Sequence, residues 1–100
     1  MTIQIRARGL KLTQAQRTRL KSQLAFVFAR FGQRIDRVIV RLSDAEDPPG
    51  YRRCQLGVDF DAETVRAEQS DIDIFLALEH AARRAARSVS RAIEVQSMVR

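Results

Sequence analysis

Between Glu79 and Glu94 the chain carries no acidic residue, yet Arg83, Arg84, Arg87 and Arg91 fall in that interval, with His80 just ahead of them. At about 100° per residue, His80, Arg84, Arg87 and Arg91 share one side of a helix with Arg83 flanking. Phe75, Leu78, Ala82, Ala85, Ala86, Val89 and Ile93 share the other side. A row of like charges at this spacing costs local helix stability, and a plain solvated helix mixes in acids. The pattern therefore points to a polyanion as the missing countercharge, because the guanidinium fork matches phosphate bidentately. An earlier helical stretch adds Arg17, Arg19, Lys21 and Arg30. On it Phe26 projects opposite the apolar stripe, near Arg19, Gln23 and Arg30, where an aromatic ring could stack on an unpaired base. Arg6, Arg8 and Lys11 extend the basic surface along an edge, whereas Arg37 and Arg41 are expected to face solvent on the open side of a sheet.

Other chemistries find less support. His80 is the only histidine and Cys54 the only cysteine; an outward helix position and an inward strand position do not make a nucleophilic pair. No nucleophile-elbow spacing accompanies a Ser–His–Asp set built on His80. Asp44, Glu46, Asp47, Asp59, Asp61 and Glu63 could collect a hard cation, but the alternate-residue spacing of a calcium loop is missing. Solubility and repulsion of misplaced RNA suffice for them. There is no phosphate-cradling glycine loop and no dinucleotide fingerprint. We expect no enzyme activity, no cofactor, no metal and no small-molecule substrate.

The elements that must carry these residues are legible in the periodicity. Ile3, Ile5 and Ala7 alternate with Thr2, Gln4, Arg6 and Arg8 as a strand that ends at Gly9. Thr13 with Gln16 reads as a capping box. Leu20, Leu24, Val27, Phe28 and Phe31 follow at helical spacing, with Gly32 at the C-terminal position. Ile35 to Leu42 is β-branched and alternating, a second strand. Asp44 to Gly50, with two prolines, is a loop. Cys54, Leu56, Val58 and Phe60 mark a third strand, and a turn near Asp61 to Glu63 leads to a short fourth around Thr64 to Glu68. Ser70 with Asp73 three residues on, and Asp71 beside it, marks a helix start. That helix runs from about Ile72 to beyond Arg91, fraying toward Val99. The fold class is α+β in the order β-α-β-β-β-α, a four-stranded mixed sheet with two helices packed on one face. Phe28, Phe31, Leu78, Ala82 and Val89 are the expected core, and strands one and two should be parallel.

At 100 residues the chain has room for a single domain, 1–100, with a core of about 3–91 and a tail of 92–100. A deep enclosed cavity is not expected in so small a core. No apolar run approaches bilayer length and no secretory signal opens the chain, so no membrane is expected. With one cysteine and no disulfide framework, a reduced, cytoplasmic setting follows. The formal net charge is +6, and of the 18 basic residues only Lys11 and Lys21 are lysines. Residues 1–43 hold ten basic side chains against Asp36 alone, residues 44–82 are acidic, and residues 83–100 are basic again. If the two basic blocks meet in space they form one cationic face.

Against that background the stretches IRARGLKLT, RVIVRLSD, RRCQLGVDF and above all DIDIFLALEHAARRAARSVSR resemble the ribosome hibernation-promoting factor and ribosome-associated inhibitor family, also called sigma-54 modulation or S30EA proteins. The likeness spans residues 3 to about 91. Its most specific part is Asp73, Phe75, Ala77, Leu78 and Glu79 followed by Arg84, Arg87 and Arg91. The resemblance implies a four-stranded sheet with two parallel helices on one face. It also implies binding in the head–body groove of the small ribosomal subunit (30S or 70S), across the paths of mRNA and of A- and P-site tRNA, silencing idle ribosomes in stationary phase or stress. Arg84, Arg87 and Arg91 would meet 16S rRNA phosphates. Gln23 and Phe26 replace lysines frequent in relatives, and the segment before Asp73 is about two residues longer. The sequence stops at Arg100 without the dimerisation domain of the long form, so pairing of ribosomes would call for a separate helper.

Two other readings compete. A general structured-RNA-binding module would use the same basic face. A protein–protein adaptor would dock through the open sheet face at Ile39, or through Ile93, Val95, Met98 and Val99.

Overall fold

A computed structural model describes residues 1–98. Its elements are β1 (Thr2–Arg8), α1 (Gln14–Phe28), a 3-10 segment (Ala29–Arg34), β2 (Ile35–Asp44), β3 (Arg52–Phe60), β4 (Glu63–Asp71) and α2 (Ile74–Met98). The strands lie in the order β1-β2-β3-β4, with β1 parallel to β2 and both other pairs antiparallel. The expected α+β architecture is the observed one, with both helices on one face of the sheet.

Alternation decides which side of each strand is buried. Val38, Val40 and Leu42 of β2 face Cys54, Leu56 and Val58 of β3 in register, and all six are buried with Phe60. Ile35 and Val38 are three apart and still both point inward, because a register irregularity between Ile35 and Arg37 takes up the odd residue. α1 contributes Leu20, Leu24 and Phe28 to the same core. α2 contributes Leu78, Val89 and five alanines, at 77, 81, 82, 85 and 86. Those small side chains let the α2 axis lie close to β3, β4 and α1. No polar or charged residue is buried among the described residues, so the helix face of the sheet is sealed by hydrophobic contact alone.

Four local details depart from the periodicity. α1 stops at Phe28 and continues as the 3-10 segment, so Phe31 packs on the core from that segment rather than from the helix. Gly32 is not the residue closing α1; it lies inside the 3-10 segment with φ 58° and ψ −133°, a conformation that favours glycine. Phe75 is only half-buried, with Arg19 stacked over its ring at 3.8 Å. β4 runs to Asp71 rather than ending near Glu68, held by pairing of Arg52 with Asp71 and Arg53 with Ser70. Ser70 is therefore a strand residue, and the cap of α2 falls to Asp73, whose Oδ1 accepts from the Phe75 amide at 2.8 Å. The capping box at Thr13 and Gln16 forms as expected, with bonds of 3.1 and 2.9 Å.

α2 remains helical to Met98, and Ala92 and Ile93 still pack on the core. Val95 and Met98 are exposed; Val99 and Arg100 lie outside the described residues.

Candidate nucleic-acid interface

α1 and α2 lie side by side on the sheet, which brings the first basic block of the sequence against the last. Two side chains fix their spacing. Gln23 of α1 donates from Nε2 to the Phe75 carbonyl at 3.3 Å, across the first turn of α2. At the other end Arg30 donates from Nη2 to the Ala86 carbonyl at 3.4 Å and to Ser90 Oγ at 3.2 Å. Between these ties runs an open groove of about 310 Å³, lined by Phe26, Val27, Arg30, Arg83, Ala86 and Arg87. Phe26 is 78% exposed, and it sits on the α1 wall of a groove whose α2 wall carries two arginines.

The α2 row is solvent-facing as the helical period requires. His80, Arg83, Arg84, Arg87 and Arg91 are all exposed. Arg83 is engaged by Glu79 one turn back at 3.3 Å. Arg84, Arg87 and Arg91 have no carboxylate within salt-bridge distance among the described residues. Arg84 and Arg91 are two helical turns apart, about 10 Å along the axis, with Arg87 between them. On α1, Lys21 and Arg19 are exposed.

Arg17 and Arg30 have structural partners that sequence spacing did not reveal. Arg17 is half-buried and donates to the Ile5 carbonyl at 3.2 Å, on the outer edge of β1. Arg30 spans the helix pair and lies over the Phe31 ring at 4.8 Å. Both require contacts across the fold, which one-dimensional patterning does not encode.

The acidic middle of the sequence is dispersed. Asp44 pairs with Arg52, Asp61 with Arg34, Asp59 with Arg37, and Glu68 with Arg53. None of these pairs lies on the outward faces of the two helices. Among the described residues no three of His, Cys, Asp and Glu converge on a point where they could hold a metal. Cys54 is buried in the core and its thiol is pushed up to about 12 by loss of solvation. That leaves no thiolate at neutral pH, and His80 is on an exposed face away from it. No helix among the described residues is long and apolar enough to cross a membrane.

The sequence profile of the family described as sigma 54 modulation protein / S30EA ribosomal protein matches residues 3–96. The chain belongs to that family. The family's description is of a ribosomal and modulation protein rather than of an enzyme. Among solved structures, this S30EA-family chain is similar to the N-terminal domain of Protein Y from Thermus thermophilus, at 29% identity and a TM-score of 0.76 over 91% of this chain and 98% of that one. It also shares its fold with a ribosomal subunit interface protein from Coxiella burnetii, at 15% identity and a TM-score of 0.80, covering 94% and 99% of the two chains. A search of curated proteins by sequence gave no match.

Proposed function

We propose that this chain is a ribosome hibernation factor. It binds the small subunit through 16S rRNA, occupies the mRNA and tRNA paths, and so inhibits translation in the cytoplasm under stress or in stationary phase. Family membership supports association with the ribosome. The observation that carries the mode of binding is the exposed row Arg84, Arg87 and Arg91, which has no acidic partner among the described residues and of which Arg87 lines the interhelical groove with Phe26. Such a row meets phosphates, and phosphate contacts position a protein without reading base sequence. Specificity then comes from shape: a rigid slab that fills a cleft in folded RNA excludes whatever else would lie there. The reaction needs no bond chemistry.

His80, Arg83, Arg19, Lys21 and Phe26 belong to the same contact surface in this reading. Arg17 and Arg30 contribute through the fold, since their guanidinium groups are already engaged by Ile5, Ala86 and Ser90.

The test is cosedimentation with purified 30S and 70S particles at low and near-physiological salt, comparing the native chain with Arg84→Glu/Arg87→Glu. Retention of the native chain at both salts and release of the variant are expected. Removing one cation from its phosphate flattens the dependence of log affinity on log salt by roughly 0.7–0.9, so the double variant should flatten it by about 1.5. Equal retention of a folded variant overturns the assigned face. Equal affinity of the native chain for 30S and for unrelated structured RNA overturns the ribosome as target and favours a general RNA-binding module.

A further inference from the structure

The face of the sheet turned away from the helices carries a second concentration of arginine. Register places Arg6 of β1 beside Arg41 of β2 on this face. On neighbouring strands about 4.8 Å apart, like charges repel unless something lies between them. Arg66 of β4 stands across Gly57 from Ile39. Among the described residues two acids, Asp59 and Glu68, share the face centre and line the trough that crosses it, and each has an arginine beside it. Asp59 takes the Thr64 hydroxyl at 2.8 Å and Arg37 at 2.9 Å, contacts that hold its carboxyl below the usual range. Glu68 lies 4.0 Å from Arg53. Arg6, Arg8, Arg41 and Arg66 have no carboxylate within salt-bridge distance among the described residues.

Two of them, Arg41 and Arg66, line this shallow trough of about 560 Å³, which crosses β2, β3 and β4. Gly57 makes its floor: a Cβ there would meet nothing within 4 Å, so the middle of the sheet is a gap between Ile39 and Arg66. From β2 to β4 the trough spans about 10 Å, two strand spacings, the width of one backbone rather than of a duplex.

We propose that the open face of the sheet is a second RNA-binding surface, on which the trough between Arg41 and Arg66 holds the sugar–phosphate backbone of a single strand. A protein partner fits the face less well. Protein interfaces gain most from aromatic and aliphatic anchors at a desolvated centre, and the centre here offers Ile39 alone. An RNA backbone needs closely spaced donors and positive charge, and those are what the face supplies. With no aromatic ring on the trough, bases have only guanidinium planes to stack on, so the surface binds with little preference for base sequence.

The experiment uses the full chain and a labelled U12 oligonucleotide, with binding followed by anisotropy and the contact surface by amide chemical shifts. Arg41→Glu/Arg66→Glu should weaken U12 binding at least tenfold and flatten the salt dependence by about 1.4. Gly57→Val keeps every charge and fills the trough with a residue suited to a strand; it should weaken binding several-fold at an unchanged salt slope. U12 should shift the amides of Ile39, Gly57 and Arg66 in the native chain and still do so in Arg84→Glu/Arg87→Glu. Shifts confined to α1 and α2, a silent Gly57→Val, equal binding of an RNA duplex to the trough, or displacement of U12 by polyglutamate at equal charge concentration would each overturn the proposal. No ribosome enters this assay, so its failure leaves the small-subunit reading standing, and the reverse holds too.

Discussion

Arg30 and Arg84 carry the same charge, one in each basic block, and the fold uses them differently. Arg30 spends its guanidinium on the Ala86 carbonyl and Ser90, so it spaces the helices; Arg84 ends in solvent without an acidic partner. The outward row on α2 was legible because 3.6-residue periodicity sorts a helix into faces without further information. The tie of Arg17 to Ile5 was not, since it depends on how α1 lies over the edge of β1. The alanines at 77 and 81 were also missed as core positions, because Ala is neutral enough to fit either face. Cys54 offers a direct check on burial. With its thiol inside the core and pushed up to about 12, a maleimide or disulfide reagent at pH 8 should label it only as fast as the chain unfolds. Rapid labelling of the native chain, at the rate of a free thiol, would show that β3 does not face the core there.

At the scale of elements, the junction between β4 and α2 shows how tertiary pairing overrides local signals. Ser70 and Asp73 are both good helix starters, three positions apart. The ladder decides between them: β3 runs from Arg52, so β4 is paired through Asp71, and the helix cannot begin until the strand lets go. Asp73 then caps it, helped by Asp71, whose Oδ1 accepts from the Asp73 amide at 2.9 Å. Asp73→Ala should cost about 1 kcal/mol in urea unfolding, while Ser70→Ala, an exposed strand position, should change stability by less than about 0.5 kcal/mol. A larger loss at Ser70 would return the cap to that residue. The end of α1 follows the same logic: Gly32 signals the break correctly, but the chain inserts a 3-10 segment first, and sequence period does not distinguish a helix from its tighter continuation.

For the molecule as a whole, charge is sorted by pairing. Arg34, Arg37, Arg52 and Arg53 each take a carboxylate from the acidic middle, which leaves the excess on the helix pair and on the open face of the sheet. Linear charge blocks foretold the first of these surfaces; the second arises from cross-strand register, which places Arg6 next to Arg41 although 35 positions separate them. The β-α-β-β-β-α order followed from alternation and turn chemistry, and the parallel β1–β2 pair from the crossover rule for a strand–helix–strand unit; the structure has both. Stability rests on one shared core under both helices, so Leu78→Ala should cost about 2–5 kcal/mol by the usual cavity penalty, shifting the whole melt as a single transition. Two separate transitions would mean that α2 unfolds apart from the sheet.

The near absence of lysine from the helix face has a consequence for how such a chain lets go. Lys21 is the only lysine there, since Lys11 precedes the helix. Guanidinium groups keep their charge at any physiological pH, and the acetyl transfer that silences a lysine has almost nothing to act on. Once seated on a polyanion, the arginines of this surface cannot be neutralised by pH or by acetylation: their detachment is forced from outside, by a rival ligand for the same phosphates, by a rise in ionic strength, or by destruction of the chain.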